Sequence, residues 1–189
     1  MHDTYDKTTL AKEQKVVEAS KKDPQAFGVL YDKYFKQVFR FIHGRVNDKD
    51  VTADLTSQVF LKALTNIHQF EYRGLPFAAW LFRIAVNEYT DYFRKAKKAR
   101  FVVLEGTAIN SLFTEMSFDE SEVEMLKKKI PNVMSKLKPH ELQVIELRFF
   151  ESRSFKEIGY ILDITENNAK VKTYRALDKL RKYFFKGKK

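Results

Sequence analysis

Two small helical domains joined by a flexible linker, the second of them a helix-turn-helix, make up the all-α fold that this sequence predicts. Three observations predict it. Apolar residues recur at spacings of three and four along nearly the whole chain. Six glycines and four prolines in 189 residues are too few for an all-β protein with many tight turns, and no convincing strand alternation or internal repeat is present. Charge divides the chain: residues 1–100 carry a net +6, residues 101–135 a net −3 and residues 136–189 a net +7, within an overall +10. Two basic blocks flank an acidic connector, the pattern of two modules facing a polyanion.

The elements follow in order. Asp23-Pro24 predicts the N-cap and first residue of a helix whose inward stripe is Phe27, Leu30, Tyr31, Tyr34, Phe35, Val38 and Ile42, with Gly44 near its end. Leu55, Val59, Ala63, Leu64 and Ile67 mark the next helix. Gly74-Leu75-Pro76 breaks the chain. Phe77, Trp80, Leu81, Ile84, Ala85, Tyr89 and Tyr92 then make a long helix running into the basic segment 94–100. Together these form a first domain, residues 1–100. Residues 101–120 lose the period and read as a linker, although Phe101-Val102-Val103-Leu104 and Leu112-Phe113 are apolar enough to dock on something. The second domain, 121–189, opens with Ser121 and a helix that Pro131 kinks or restarts. Pro139 starts another helix through Leu142, Val144, Ile145, Leu147 and Phe149.

From Ser154 the pattern is that of a helix-turn-helix. Ser154 caps a short helix with Phe155, Ile158, Ile161 and Leu162 inward, and Gly159 is small where a second helix crosses closely. Asp163 takes the turn, where its tolerance of the left-handed conformation is needed, and Ile164 plugs it. Thr165 caps the next helix. On that helix Ala169, Thr173, Ala176 and Leu180 form a packable stripe. Asn168, Lys172, Arg175, Lys179 and Lys182 form a row of donors opposite, with no acid in it. A major-groove recognition helix must pack on its scaffold and present amides and cations to bases and phosphates.

The helix over 77–94 also has two faces. Arg83, Asn87 and Arg94 fall within about 40° of one another at 100° per residue, with Trp80 on the border. Just upstream, Phe70-Glu71-Tyr72-Arg73-Gly74 places two aromatics and an arginine in a loop. Rings beside cations bind single-stranded nucleic acid by stacking and phosphate pairing.

Several function classes are excluded or disfavoured. The chain has no cysteine, so disulfides, thiolate metal sites and cysteine nucleophiles are absent. Its four histidines lie outside metal-ligand spacings. Of the acids Asp48, Asp50 and Asp54, only the last two share a helical spacing, and helix capping is their expected role. No catalytic residue, metal or cofactor is therefore expected. No uncharged apolar run reaches the roughly 18 residues of a membrane span. The first seven residues are polar and lack an apolar signal core. A soluble, cytoplasmic protein without membrane insertion is the expectation.

Four segments in register resemble the extracytoplasmic-function group of bacterial RNA polymerase sigma factors. Asp23-Pro24-Gln25-Ala26-Phe27 with Leu30-Tyr31 and Tyr34 is similar to that group's region 2.1, and Asp54 through Leu64 to region 2.2. Phe77 through Asn87 with Asp91 and Arg94 resembles regions 2.3–2.4. Leu137-Lys138-Pro139 through Arg148, and Phe155 through Leu177, resemble region 4. Ser57 and Gln58 depart from the family's usual glutamine and acid. The resemblance implies a non-enzymatic initiation factor whose partners are core RNA polymerase and promoter DNA; it leaves open whether an anti-sigma factor is a third. It implies −35 contacts by Asn167, Asn168, Lys170, Lys172, Arg175 and Lys179, with Arg148, Ser154 and Lys156 on phosphates. It implies capture of the melted −10 strand by the Phe70, Tyr72 and Arg73 loop with Trp80 and Asn87, with Arg83 and Arg94 on phosphates. It implies a polymerase face of Asp54, Leu55, Gln58 and Lys62. The alternative within DNA binding is a stand-alone helix-turn-helix regulator, for which no dimerising seam or effector domain is visible.

Overall fold

The computed structural model describes residues 7–96, 106–118 and 120–185. Among these residues the regular elements are all helical, and the chain divides into two compact units, the first ending with the long helix over 77–96.

In the first unit, α1 (Lys7–Lys22) leads to a 3-10 turn (Pro24–Phe27), then α2 (Gly28–Val46), α3 (Lys49–Thr65), a short 3-10 turn (Ile67–Gln69) and α4 (Phe77–Ala96). Asp23 caps the first turn, accepting from the Gln25 N–H at 2.9 Å, and Pro24 supplies a fixed φ where no donor is needed. Asp48 caps α3 by accepting from the N–H groups of Asp50 and Val51, the role expected of that acidic cluster. Gly44 lies near the end of α2, as expected, two residues before its last residue Val46. The helix ends at Asn47, which takes the left-handed conformation and donates back to the His43 carbonyl. Aromatic rings fill the core: Phe41 meets Phe82 at 4.4 Å and Tyr89 at 5.8 Å, and Phe27 meets Phe60 and Phe77 at 6.4 Å each. Burying each such ring stabilises the unit by roughly 1.5–3 kcal/mol.

In the second unit, α5 (Gly106–Glu115) and α6 (Glu120–Lys127) precede α7 (Ile130–Met134), which Pro131 starts. Next comes α8 (Pro139–Ile145), widening into π turns over Glu146–Phe150, then α9 (Phe155–Leu162) and α10 (Glu166–Phe185). The expected linker over 101–120 is corrected for residues 106–118. Ile109, Leu112, Phe113 and Met116 recur at helical spacing and are all buried. Phe113 and Phe118 pack on Phe184 at 5.6 Å each. Leu112 and Phe113 thus dock as their apolar character required, and the intervening Asn110 and Ser111 are simply the exposed face. Residues 97–105, including Phe101–Leu104, lie outside the described residues.

Left-handed backbone occurs at Asn47, Ser117, Ser152 and Asp163, and at Gly74.

Candidate nucleic-acid interface

The second unit holds α10 by close backbone approach. Ser154 Oγ accepts from the Glu157 N–H at 3.2 Å, and the Glu157 carboxylate accepts from the Ser154 N–H at 2.9 Å, a closed capping box. Glu157 is fully buried and also accepts from Arg153 Nη1 at 3.1 Å. Asp163 ends α9 at φ 57°, as its place in the turn required, and the Ile164 N–H bonds the Gly159 carbonyl at 2.9 Å. A Cβ on Gly159 would stand 2.8 Å from the Ile164 carbonyl oxygen and 3.2 Å from the Glu166 nitrogen, so the turn lies directly against it. Thr165 Oγ1 accepts from the Asn168 N–H at 3.2 Å and caps α10. The stripe Ala169, Thr173, Ala176 and Leu180 is buried, each residue at most 1% exposed.

The opposite face carries the donors. Asn167, Asn168, Lys170 and Arg175 are exposed and Lys172 is half-buried, while Lys156 is exposed on α9. Lys179 is different: its ammonium bonds both oxygens of Glu141, at 2.9 and 2.8 Å. The donor row is therefore not free of acids, because Glu141 reaches it from α8. Arg148 is also engaged, donating to the Arg153 carbonyl at 3.0 Å with its guanidinium 4.7 Å from the Phe155 ring centre. The Ser154 hydroxyl works inside the capping box. Tyr174, exposed on α10, was not singled out by the sequence reading. Its hydroxyl bonds Glu115 at 3.1 Å, and desolvation followed by that carboxylate raises its pKa. An aromatic four residues after Lys170 was the available signal.

The first unit presents a groove instead of a face. Trp80, Ile84, Asn87 and Asp91 of α4 with Lys62 of α3 and Asn66, which caps it, line an open cleft of about 520 Å³. Asn87 is exposed in it. Ile84, expected on the apolar side, is half-exposed here. Trp80 stands 5.4 Å from both Phe70 and Phe77. Tyr72, Arg73 and Glu71 are exposed on the loop, with Arg73 and Glu71 ion-paired at 2.9 Å. Phe70 departs from its expected role as a capturing ring: it is 6% exposed and meets Phe77 at 5.2 Å, so it supports the groove from below. Arg83 is half-buried, and Arg94 pairs with Asp91 at 3.0 Å.

The expected polymerase face is divided. Asp54 and Gln58 are exposed on α3, whereas Leu55 is 6% exposed and belongs to the core. Lys62 pairs with Glu88 at 2.6 Å and lines the groove. Among the described residues no cluster of three carboxylates or histidines could hold a metal ion, and no helix is long and apolar enough to cross a membrane.

A helical groove with an aromatic wall followed by a helix-turn-helix defines a class, and family comparison meets the same two segments. Residues 30–99 match the family model for sigma-70 region 2, and residues 133–182 match that for sigma-70 region 4. The chain belongs to the sigma-70 family of RNA polymerase sigma factors. Its relatives place it in the extracytoplasmic-function group. It is 35% identical over 156 residues to the ECF RNA polymerase sigma factor BldN of Streptomyces coelicolor, covering 82% of this chain and 59% of that relative's length. It is 28% identical over 158 residues to the ECF sigma factor SigM of Bacillus subtilis, covering 84% and 94%. The fold is also that of CnrH, solved in complex with the cytosolic domain of CnrY, at a TM-score of 0.58 and 21% identity, covering 89% and 94%. The chain is thus a sigma factor, a transcription initiation factor and not an enzyme, with region 2 serving the −10 element and region 4 the −35 element.

Proposed function

We propose that this chain works in the cytoplasm, where it joins core RNA polymerase through the exposed part of α3 around Asp54 and Gln58. Asn167, Asn168, Lys170, Lys172 and Arg175 on α10 read the −35 duplex, with Lys156 on phosphate. Arg148 and Ser154 serve that contact by shaping the start of α9. In the first unit, Asn87 and Trp80 receive a base from the melted −10 strand, and Tyr72 stacks at the loop. Arg73, Arg83 and Arg94 supply charge to the backbone. CnrH is held by the cytosolic domain of its partner CnrY. A comparable anti-sigma partner for this chain is part of the proposal.

The observation that carries this reading is the exposed Asn87 beside Trp80 in an open groove, on a helix followed by a basic run. Unstacking a base costs a few kcal/mol and stacking on an aromatic returns about 1–3. Asn87→Ala and Tyr72→Ala therefore reduce open complexes on a fully paired promoter, read by permanganate reactivity of unpaired thymines. On a template with a pre-opened bubble the defect shrinks. Asp54→Lys removes run-off transcription and pull-down of core polymerase while binding to an isolated −35 duplex persists. A chain that binds promoter duplex yet gives no run-off product with core polymerase would favour the stand-alone regulator.

A further inference from the structure

Helix α1 holds the Phe70–Phe77 segment at both ends. At one end the Lys21 ammonium donates to the Phe70 carbonyl at 3.2 Å, while pairing with Glu18 at 2.9 Å. At the other end the N–H of Phe77, the first residue of α4, donates to Glu13 Oε2 at 2.7 Å. Glu13 is 8% exposed, and its other oxygen accepts from Lys33 at 2.7 Å and from the Tyr34 hydroxyl. Glu13 and Lys21 are eight residues apart, about 12 Å along the helix axis. Between the two anchors, Glu71 to Gly74 are exposed, residues 71–76 have no regular secondary structure, and Gly74 turns the backbone at φ 67°.

Docking α1 does not by itself call for this arrangement, since Leu10 and Val17 on the same helix are buried and apolar. A buried carboxylate is costly unless its bonds are made, and here three donors make them. One of those donors is a free N–H at the start of α4, where the helix's positive end adds to the attraction.

We propose that α1 is a latch, with Glu13 and Lys21 as positioning residues that fix the two ends of the Phe70–Phe77 segment. Held this way, Tyr72, Arg73 and the Trp80–Asn87 groove keep the form that receives an unpaired strand. The second clause rests on the function proposed above; the latch itself does not.

Trp80 is the chain's single tryptophan and packs on both anchored rings, so its emission reports the latch without DNA. Acrylamide quenching of Trp80 in the full-length protein is compared for wild type, Glu13→Gln and Lys21→Met. Glu13→Gln keeps the shape but replaces a charged acceptor by a neutral one, so the unlatched population rises about fivefold. Lys21→Met, on a partly exposed side chain, acts in the same direction with a smaller rise and no threat to folding. Val38→Ala, in the core but on α2, is the packing control: it lowers the midpoint of thermal unfolding and leaves quenching at fixed temperature unchanged. The same proteins are then assayed for opening of paired and pre-opened promoters with core polymerase. Glu13→Gln lowers the paired-to-bubble ratio, and Val38→Ala does not. Unchanged quenching in both latch variants overturns the proposal, whatever the transcription result. Raised quenching with an unchanged paired-to-bubble ratio upholds the latch and instead removes strand capture from this segment.

Discussion

The two units solve the same problem, positioning a few polar side chains for DNA, with opposite materials. The first packs large rings, Phe27, Phe41, Phe60, Phe77, Phe82 and Tyr89, and its groove is set by what lies beneath Trp80. In the second, the helix-turn-helix is set by the absence of side chain, with Gly159 against the Ile164 carbonyl and Ala169, Thr173 and Ala176 beneath α10. A ring-filled core tolerates no deletion, because removing a ring leaves a cavity. A close-contact core tolerates no addition, because a new methyl meets backbone that cannot step aside. The difference predicts which direction of size change damages which unit.

The largest effect is expected from Phe41→Ala. The Phe41 ring is 1% exposed and packs against Phe82 at 4.4 Å and the Arg45 guanidinium at 3.6 Å. Its loss destabilises the first unit by about 3–5 kcal/mol. Because Trp80 reports this unit alone, its thermal transition falls while part of the far-ultraviolet helical signal persists to higher temperature. A single transition shifted in both signals would show that the units unfold together and would break the comparison. Gly159→Ala comes next, with a cost of about 1–3 kcal/mol to the second unit. It lowers helical signal and −35 duplex binding but leaves the Trp80 transition in place. Lys172→Ala and Arg175→Ala leave both transitions in place and weaken −35 duplex binding by about 1–3 kcal/mol each where they meet base edges. Fluorescence anisotropy against matched and mismatched duplexes measures this, and equal affinity of the double variant and wild type would move the interface off α10.

The smallest effect is the pH response of the Lys179–Glu141 pair. Burial raises the Glu141 pKa, but the Lys179 ammonium and the Lys138 N–H outweigh it, leaving the carboxyl below the ordinary glutamate value. The Lys179 pKa is raised, chiefly by its bond to Glu141. A lowered carboxyl contributes stability above its unfolded value, and that contribution is lost as pH falls through the folded value. The second unit's melting temperature therefore falls in acid, modestly, since both side chains remain partly exposed to screening solvent. Lys179→Met removes this component. The same substitution has little effect on the salt dependence of DNA binding, because the ammonium already has a partner.

The helix-turn-helix was legible in the sequence almost residue by residue, because everything that forms it lies within about thirty positions and repeats at helical spacing. The stripe of Ala169, Thr173, Ala176 and Leu180, the Thr165 cap and the Asp163 turn all stand where the pattern placed them. What escaped reading depends on residues far apart in the chain. Glu141 neutralises Lys179 across 38 positions, and Glu13 meets the Phe77 N–H across 64. Helix α1 itself was missed because its inward face includes Glu13 and Ser20, polar residues that break the apolar period. Phe70 was placed among the capturing rings because local spacing cannot tell a ring that lines a groove from one that underlies it, while the burial of Leu55 agrees with its place in the apolar stripe of α3. Helix α5 was missed for the reverse reason: glycine, serine and asparagine drew attention from a complete apolar stripe.

The left-handed corners have a further consequence, which concerns the unfolded chain. Asn47, Ser152 and Asp163 accept a conformation that glycine adopts freely, and each pays roughly 1–2 kcal/mol of backbone strain in the folded state. A glycine at such a corner would relieve that strain but would also widen the range of conformations open to the denatured chain, worth about 0.4–1 kcal/mol in the opposite sense. The second effect returns only part of the first, so side-chain-bearing residues hold these corners at a net cost smaller than the strain alone. With six glycines in 189 residues, the chain samples a narrower denatured ensemble than a glycine-rich one.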